Sequence, residues 1–185
     1  MTSVLLVEDR KLIPISKLIT DLCEISKIDS RQINICGLLN DRGLGHSHII
    51  VLNEGRPNLS LSRALDVVVA GGIIIMNADE RNFAGLRLSK PVRLITYGYN
   101  PKSTVTASSI VVHEYISVQC CIQRQFSTLA GSLLEPQEFM VRTTLMELNA
   151  GDILAAVSVA MLCGASVSKA PQASSANQAN QLLCL

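Results

Sequence analysis

Apolar residues in this chain come in short runs separated by polar breaks, and their spacing changes from segment to segment. Val4-Leu5-Leu6-Val7 is a run of strand length with β-branched ends. Glu8 to Lys11 break it, and then Leu12, Ile15, Leu18, Ile19 and Leu22 recur at helical spacing. The reading is strand, loop, helix. Ile33 to Cys36 and Ile49 to Leu52 predict two further strands, with a glycine-containing loop at Asp41 to Gly45 between them. Leu61 to Val69 predicts a short helix, closed by Gly71-Gly72 as a left-handed cap. Ile73 to Met76, uniformly apolar, predicts a strand buried on both faces. A short helix reaching about Leu88 and a strand over Val92 to Thr96 follow.

Alternation of strand and helix predicts an α/β fold, a mainly parallel sheet flanked by helices. The pattern changes after Gly98. Val105 to Ala107, Ile110 to Val112, Tyr115 to Ile122 and Phe139 to Met146 are extended segments with no helical period between them. They predict a smaller antiparallel section near residues 104–146. A last helix fits Gly151 to Leu162, ended by Gly164. From Ser166 the composition shifts to Ser, Ala, Gln and Asn. The domain expectation is therefore one unit over 1–165 and a flexible tail over 166–185.

Composition narrows the function classes. With 185 residues the chain can bury a core without disulfides or metals. Apolar residues make up 48% and charged residues 17%, which excludes a disordered chain. The longest nearly apolar run, Val67 to Met76, is half of the roughly 20 residues a spanning helix needs. No cationic leader precedes it, so the expectation is a cytoplasmic protein without a membrane segment. Net charge is +1 with no basic block, and aromatics are 3%, so no nucleic-acid partner is expected. The six cysteines form no C-x-x-C pair and read as small buried hydrophobes.

In an open parallel sheet, ligands bind beyond the carboxyl ends of the strands. Three polar clusters fall there: Glu8 to Lys11, Asn53 to Arg56, and Asn77 to Glu80. The first occupies the place of a phosphate loop but has no glycine and two carboxylates. Converging backbone N–H groups need glycine, and a carboxylate repels phosphate, so this loop is not a phosphate cradle. Asn77 and Asp79 suit either a helix cap or the polar recognition of a nucleoside. His46 and His48, two apart before a strand, lack a third ligand and read as a surface turn; His113 reads as exposed.

The segment Ile49 to Glu80, IIVLNEGRPNLSLSRALDVVVAGGIIIMNADE, resembles the central ATP-binding domain of the Mur ligases and of the related cyanophycin synthetases. That domain runs from a strand ending in T/L-N through D-H-L-D/G and a lysine-bearing helix to a strand ending in N-A-D-D. Leu52-Asn53 matches the first pair, and Asn77-Ala78-Asp79-Glu80 matches the last motif. Ile95 to Gly98 resembles the strand that follows. Asn149 with Ile153-Leu154-Ala155-Ala156 resembles the H-N-x-x-N-x-L-A-A helix start that meets the adenine in the family. The likeness covers about residues 45 to 165, and 1 to 40 more loosely.

The resemblance implies an ATP-dependent ligase that joins an amino acid to a carboxylate through an acyl phosphate. It also implies nucleotide-binding roles for Asn53, Asn77, Asp79 and Asn149. The departures point elsewhere. The family's magnesium-binding histidine falls on Asn58, and its helix lysine near Leu65. The phosphate-loop segment G-x-N-G-K-T becomes Glu8 to Ile13, with Leu12 at the lysine position. The segment carrying the metal-binding glutamate is lost between Leu44 and His48. Leu148 replaces the family's His, and Asp152 its second Asn. Phosphoryl transfer is mostly positioning and charge neutralisation, and these losses remove both. The expectation is a degenerate, catalytically inactive domain with no catalytic or metal residues of its own. It would serve as a binding or partner module that holds ATP or its nucleoside weakly, with Mg2+ lacking its usual ligands. One alternative is an amide-bond-forming ligase completed by a partner chain; another is a structural homo-oligomer subunit.

Overall fold

The computed structural model describes residues 1–7, 11–37, 46–53, 65–80, 88 and 90–166. Strand β1 (Thr2–Val7) leads to helix α1 (Leu12–Ile25), and a 3-10 turn (Ser30–Gln32) precedes β2 (Ile33–Gly37). Then come β3 (Ser47–Leu52), β4 (Val68–Asn77), β5 (Arg93–Tyr97), β6 (Val105–Val112) and β7 (Ile116–Ile122). The short β8 (Phe126–Ser127) and β9 (Leu133–Leu134) pair with each other, and β10 (Gln137–Thr143) and helix α2 (Ala150–Leu162) follow.

One eight-stranded sheet runs in the order β10-β7-β6-β5-β4-β3-β1-β2. From β2 to β6 the neighbours are parallel, whereas β6, β7 and β10 are antiparallel. The mixed α/β architecture expected from the sequence is thus present, with its antiparallel section in the expected place. Strand β6 pairs with β5 only at Val105, opposite Tyr97, the last residue of β5. The hairpin β6–β7 therefore projects past the carboxyl ends of the parallel strands.

Alternation along the strands divides the core in two. Val4, Leu6, Ile49, Val51, Ile73 and Ile75 face α1 and α2, while Leu5, Ile50, Leu52 and Ile74 pack on the opposite face with Val68. Both sets are buried, which is why these strands read as continuous apolar runs. Helix α1 buries one stripe, Ile15, Leu18, Ile19, Leu22 and Cys23. Helix α2 buries every residue except Gly151, so it is enclosed on all sides, with Asp152 and Ser158 as its buried polar members. Its C-terminus closes as a Schellman motif. Gly164 (φ +100) donates to Met161 and Ala165 donates to Ala160.

Three sequence expectations need correction. Of the helix expected over Leu61 to Val69, only a turn at 65–67 is helical among the described residues, and Val68 already begins β4. The β-branched run Val67-Val68-Val69 favours the extended backbone. Gly71-Gly72 do not cap a helix. Gly71 takes φ +76 inside the strand and donates to the carbonyl of Pro91. Gly72 packs so closely that a Cβ there would lie 2.8 Å from Val68 and 2.9 Å from the Val69 carbonyl. The expected strand to Met146 stops at Thr143. Residues 61–64, the helix toward Leu88 over 81–87, and the tail beyond Ser166 lie outside the described residues. No helix among the described residues is long and apolar enough to cross a membrane.

Cys23 and Cys120 are buried, and Cys36, Cys121 and Cys163 are half-buried. Burial, with smaller contributions from Cys163 and Glu24, pushes the Cys23 thiol up to about 12; burial alone pushes Cys163 to about 11. Folding therefore favours the protonated thiols. Their contribution is complete below the ordinary thiol value of 9.0 and is lost as pH rises through 11 to 12. The urea midpoint is expected to fall from pH 9 upward, and Cys23→Ala to flatten that fall. An unchanged pH slope in the variant would contradict the assignment.

Candidate functional site

The N-terminus of α1 and the carboxyl ends of β3, β4 and β5 meet the N-terminus of α2, and one hydrogen-bonded network joins them. At its centre is Asp152, a carboxylate 1% exposed in the first turn of α2. Its Oδ1 accepts from the side-chain amide of Asn53 at 2.8 Å. Its Oδ2 accepts from the backbone N–H of Asn149 at 2.8 Å and from the Lys11 ammonium at 2.7 Å. Asn149 Oδ1 in turn accepts from the Asp152 N–H at 2.9 Å, which completes a capping box.

Asn53 follows β3 directly and is 5% exposed. Its Oδ1 accepts from the buried hydroxyl of Tyr97 at the tip of β5. Its backbone carbonyl accepts from the Asn77 side chain at 3.4 Å. Asn77 Oδ1 accepts from the Asp79 N–H at 3.0 Å, an Asx turn leaving β4. The Asp79 carboxylate accepts from the backbone N–H groups of Tyr99 at 2.6 Å and Asn100 at 3.0 Å. It stitches the β4 loop to the β5 loop across Gly98, whose φ is +139. Burial and the Asp79 carboxylate push the Tyr99 phenol above its ordinary value.

The four residues singled out from sequence thus converge on one edge. Asn53 is buried within it, Asn77 is half-buried, and Asp79 and Asn149 are exposed. Lys11, Tyr97 and Asp152 are the members that residue-by-residue reading did not select. The N-x-x-D spacing of Asn149 and Asp152 is a capping-box signature and could have marked Asp152. The partnership with Lys11 has no signature in sequence, because the two lie on different elements.

Among the described residues of this edge, phosphate and Mg2+ find poor partners. The Lys11 ammonium meets a buried carboxylate, and Asp79 and Asp152 direct their oxygens at protein donors. No cluster of three His, Cys, Asp or Glu able to hold a metal occurs among the described residues. His46 and His48 are exposed, and His48 Nδ1 lies 2.9 Å from Ser3 Oγ at the opposite end of the sheet. His113 is exposed in the β6–β7 turn.

No protein-family model and no curated protein matches the chain. Solved structures do. The UDP-N-acetylmuramoylalanyl-D-glutamyl-2,6-diaminopimelate–D-alanyl-D-alanyl ligase of Acinetobacter baumannii aligns with 91% of this chain and 44% of its own, at TM-score 0.64 and 13% identity. MurF from the same organism aligns with 90% and 44%, at TM-score 0.54 and 12% identity. The murein peptide ligase Mpl of Psychrobacter arcticus aligns with 88% and 44%, at TM-score 0.56 and 11% identity. The chain has the fold found in the Mur ligases and spans less than half the length of these three.

Proposed function

We propose that this chain is a Mur-ligase-like domain that holds a nucleoside without transferring phosphate, and works as a binding or partner module. The observation that carries the reading is the convergence of Asn53, Asn77, Asp79 and Asn149 at the carboxyl edge, where sheets of this class bind ligands. Asn77 is half-buried and Asn149 exposed, and side-chain amides suit the neutral donors and acceptors of a base or ribose. Among the described residues of this edge, the Lys11 ammonium is already paired with the Asp152 carboxylate. Ile110, Val111 and Val112 are exposed on the projecting hairpin, and Tyr115 at its turn, which favours a protein partner or a second copy of the chain.

A second reading is an ATP-dependent amide-bond-forming ligase completed by a partner chain, which the fold shared with the ligase structures supports. Calorimetric titration with adenosine and with ATP, each with and without Mg2+, separates the two. Weak binding of adenosine, at least as strong as that of ATP and insensitive to Mg2+, is the expected result. Mg2+-dependent ATP binding far tighter than adenosine binding would put the ligase reading first.

A further inference from the structure

We infer that the outer edge of β6 is a self-pairing surface, on which β6 of a second copy of this chain adds as an antiparallel strand. The inference rests on the partner half of the reading above and not on the nucleoside. Strand β7 is flanked on both sides, by β6 and by β10. Strand β6 is flanked on one side only for most of its length, because its ladder with β5 is confined to Val105. From Thr106 to Val112, the backbone N–H and C=O groups turned away from β7 meet no other strand among the described residues. Such an edge is a template for a further strand.

The edge is open, and no charge guards it. All five residues from Ser108 to Val112 are exposed, with Ile110, Val111 and Val112 at 41%, 46% and 57%. Sheet edges are ordinarily blunted by charged side chains or proline. Strand β10, at one outer edge of the sheet, carries Glu138 and Arg142, whereas β6 carries neither charge nor proline. Ile110 and Val112 stand opposite Val118 and Ile116 of β7, which are buried. The apolar face of the hairpin thus runs out to β6 and continues onto whatever strand is added there.

Charge and symmetry identify the occupant. A two-fold antiparallel pairing over the five exposed residues is centred on Ile110. Ile110 then faces Ile110 of the second copy, and Val111 and Val112 face its Ser109 and Ser108. Residues directly opposite share a face, so the apolar face passes from one copy to the other. His113 and Glu114 fall opposite Ala107 and Thr106, so no like charges meet. A charged peptide would find no counter-charge on this strand. A neutral, β-branched strand fits it, and β6 is itself one. The hairpin is also braced on its other side, where the Arg142 guanidinium of β10 lies 5.3 Å from the centroid of the Tyr115 ring. Five residues span only about 17 Å of strand. A strip that short buries less than the roughly 1,600 Å² of a standard interface, so the dimer is weak and depends on concentration.

The test is sedimentation equilibrium of the full chain, Ile110→Lys and Ile110→Glu, over about 10 μM to 1 mM. The average mass of the unmodified chain is expected to rise with concentration from the 20.0 kDa of one chain toward twice that. Each variant alone is expected to weaken the association by about tenfold or more, since like charges then stand face to face. Mixed in equal parts, the two variants are expected to regain it. Recovery on mixing requires position 110 of one copy beside position 110 of the other, which a head-to-tail contact does not provide. A monomeric mass throughout overturns the proposal. So does association that survives in both variants, or association lost in both with no recovery on mixing. Should an Ile110 variant lose its native circular dichroism, Val111→Lys and Val111→Glu are read by the same criteria, because in this pairing the two Val111 side chains lie diagonally across the dyad. Adenosine added to the same samples separates the two ideas. A protein that binds adenosine but stays monomeric rejects the pairing and leaves the nucleoside reading untouched.

Discussion

Asp152→Ala is expected to lower the unfolding free energy by about 3 kcal/mol, the range for breaking a buried charge pair and removing a helix cap together. The carboxylate holds three donors from three parts of the chain: the Lys11 ammonium, the Asn53 amide and the Asn149 N–H. Alanine leaves the Asn53 amide without its acceptor in a position 5% exposed. It also removes the acidic half of the capping box. Lys11 is partly exposed and can turn toward water, which keeps the loss below that of a fully buried pair. Urea denaturation should show a lower midpoint at unchanged slope. Asn149→Ala, which removes only the cap acceptor, should cost about 1 kcal/mol. A loss for Asp152→Ala no larger than that for Asn149→Ala would show that the pair with Lys11 and the bond to Asn53 contribute nothing.

Gly98→Ala is expected to cost about 3 kcal/mol, from backbone strain and displaced hydrogen bonds. At φ +139 the backbone is in a region that residues with a Cβ rarely adopt. A Cβ there would also run into the Asp79 carboxylate, with Asp79 Cγ only 2.8 Å away. That carboxylate cannot withdraw without releasing the N–H groups of Tyr99 and Asn100. Strain and displacement therefore add. Gly131→Ala is the matched control, since Gly131 also has positive φ (+86) but nothing lies within 4 Å of its Cβ position. Thermal melts should show a drop for Gly98→Ala well beyond that for Gly131→Ala. Equal drops would mean that the contact with Asp79 carries no energy.

The parts of this fold that were legible in the sequence are those in which one element's own pattern decides its structure. Val4 to Val7 and Ile73 to Met76 are strands because both faces of the sheet are covered, and uniform apolarity follows from that. Helix α1 shows its buried stripe at 3.6-residue spacing. The segment before Gly71 misled because an apolar run next to paired glycines fits a capped helix as well as a kinked strand. The pairing of β4 with β3 and β5, which sequence does not display, settles it. The two segments Val105 to Ala107 and Ile110 to Val112 are one strand interrupted by an irregularity between Ala107 and Ser109.

The candidate site was legible in part for the same reason. Asn53, Asp79 and Asn149 flank regular elements and Asn77 ends β4, positions where a polar residue stands out against an apolar run. Asp152 lies inside a helix that is otherwise apolar, and its meaning comes from Lys11 and Asn53, far away along the chain. Tyr97 reads as a core aromatic until its hydroxyl is seen against Asn53. Bonds made across elements are set by topology, and local sequence carries little trace of them.

A nucleoside held at the carboxyl edge among these amides, as proposed, would perturb them directly. The most direct measurement is a titration of adenosine into the isotopically labelled protein, followed through its amide resonances. Fast-exchange shifts are expected at the side-chain amides of Asn77 and Asn149 and at the backbone amides of Tyr99 and Asn100, unaffected by Mg2+. Shifts confined to other surfaces, or no shifts at these amides at saturating adenosine, would contradict it.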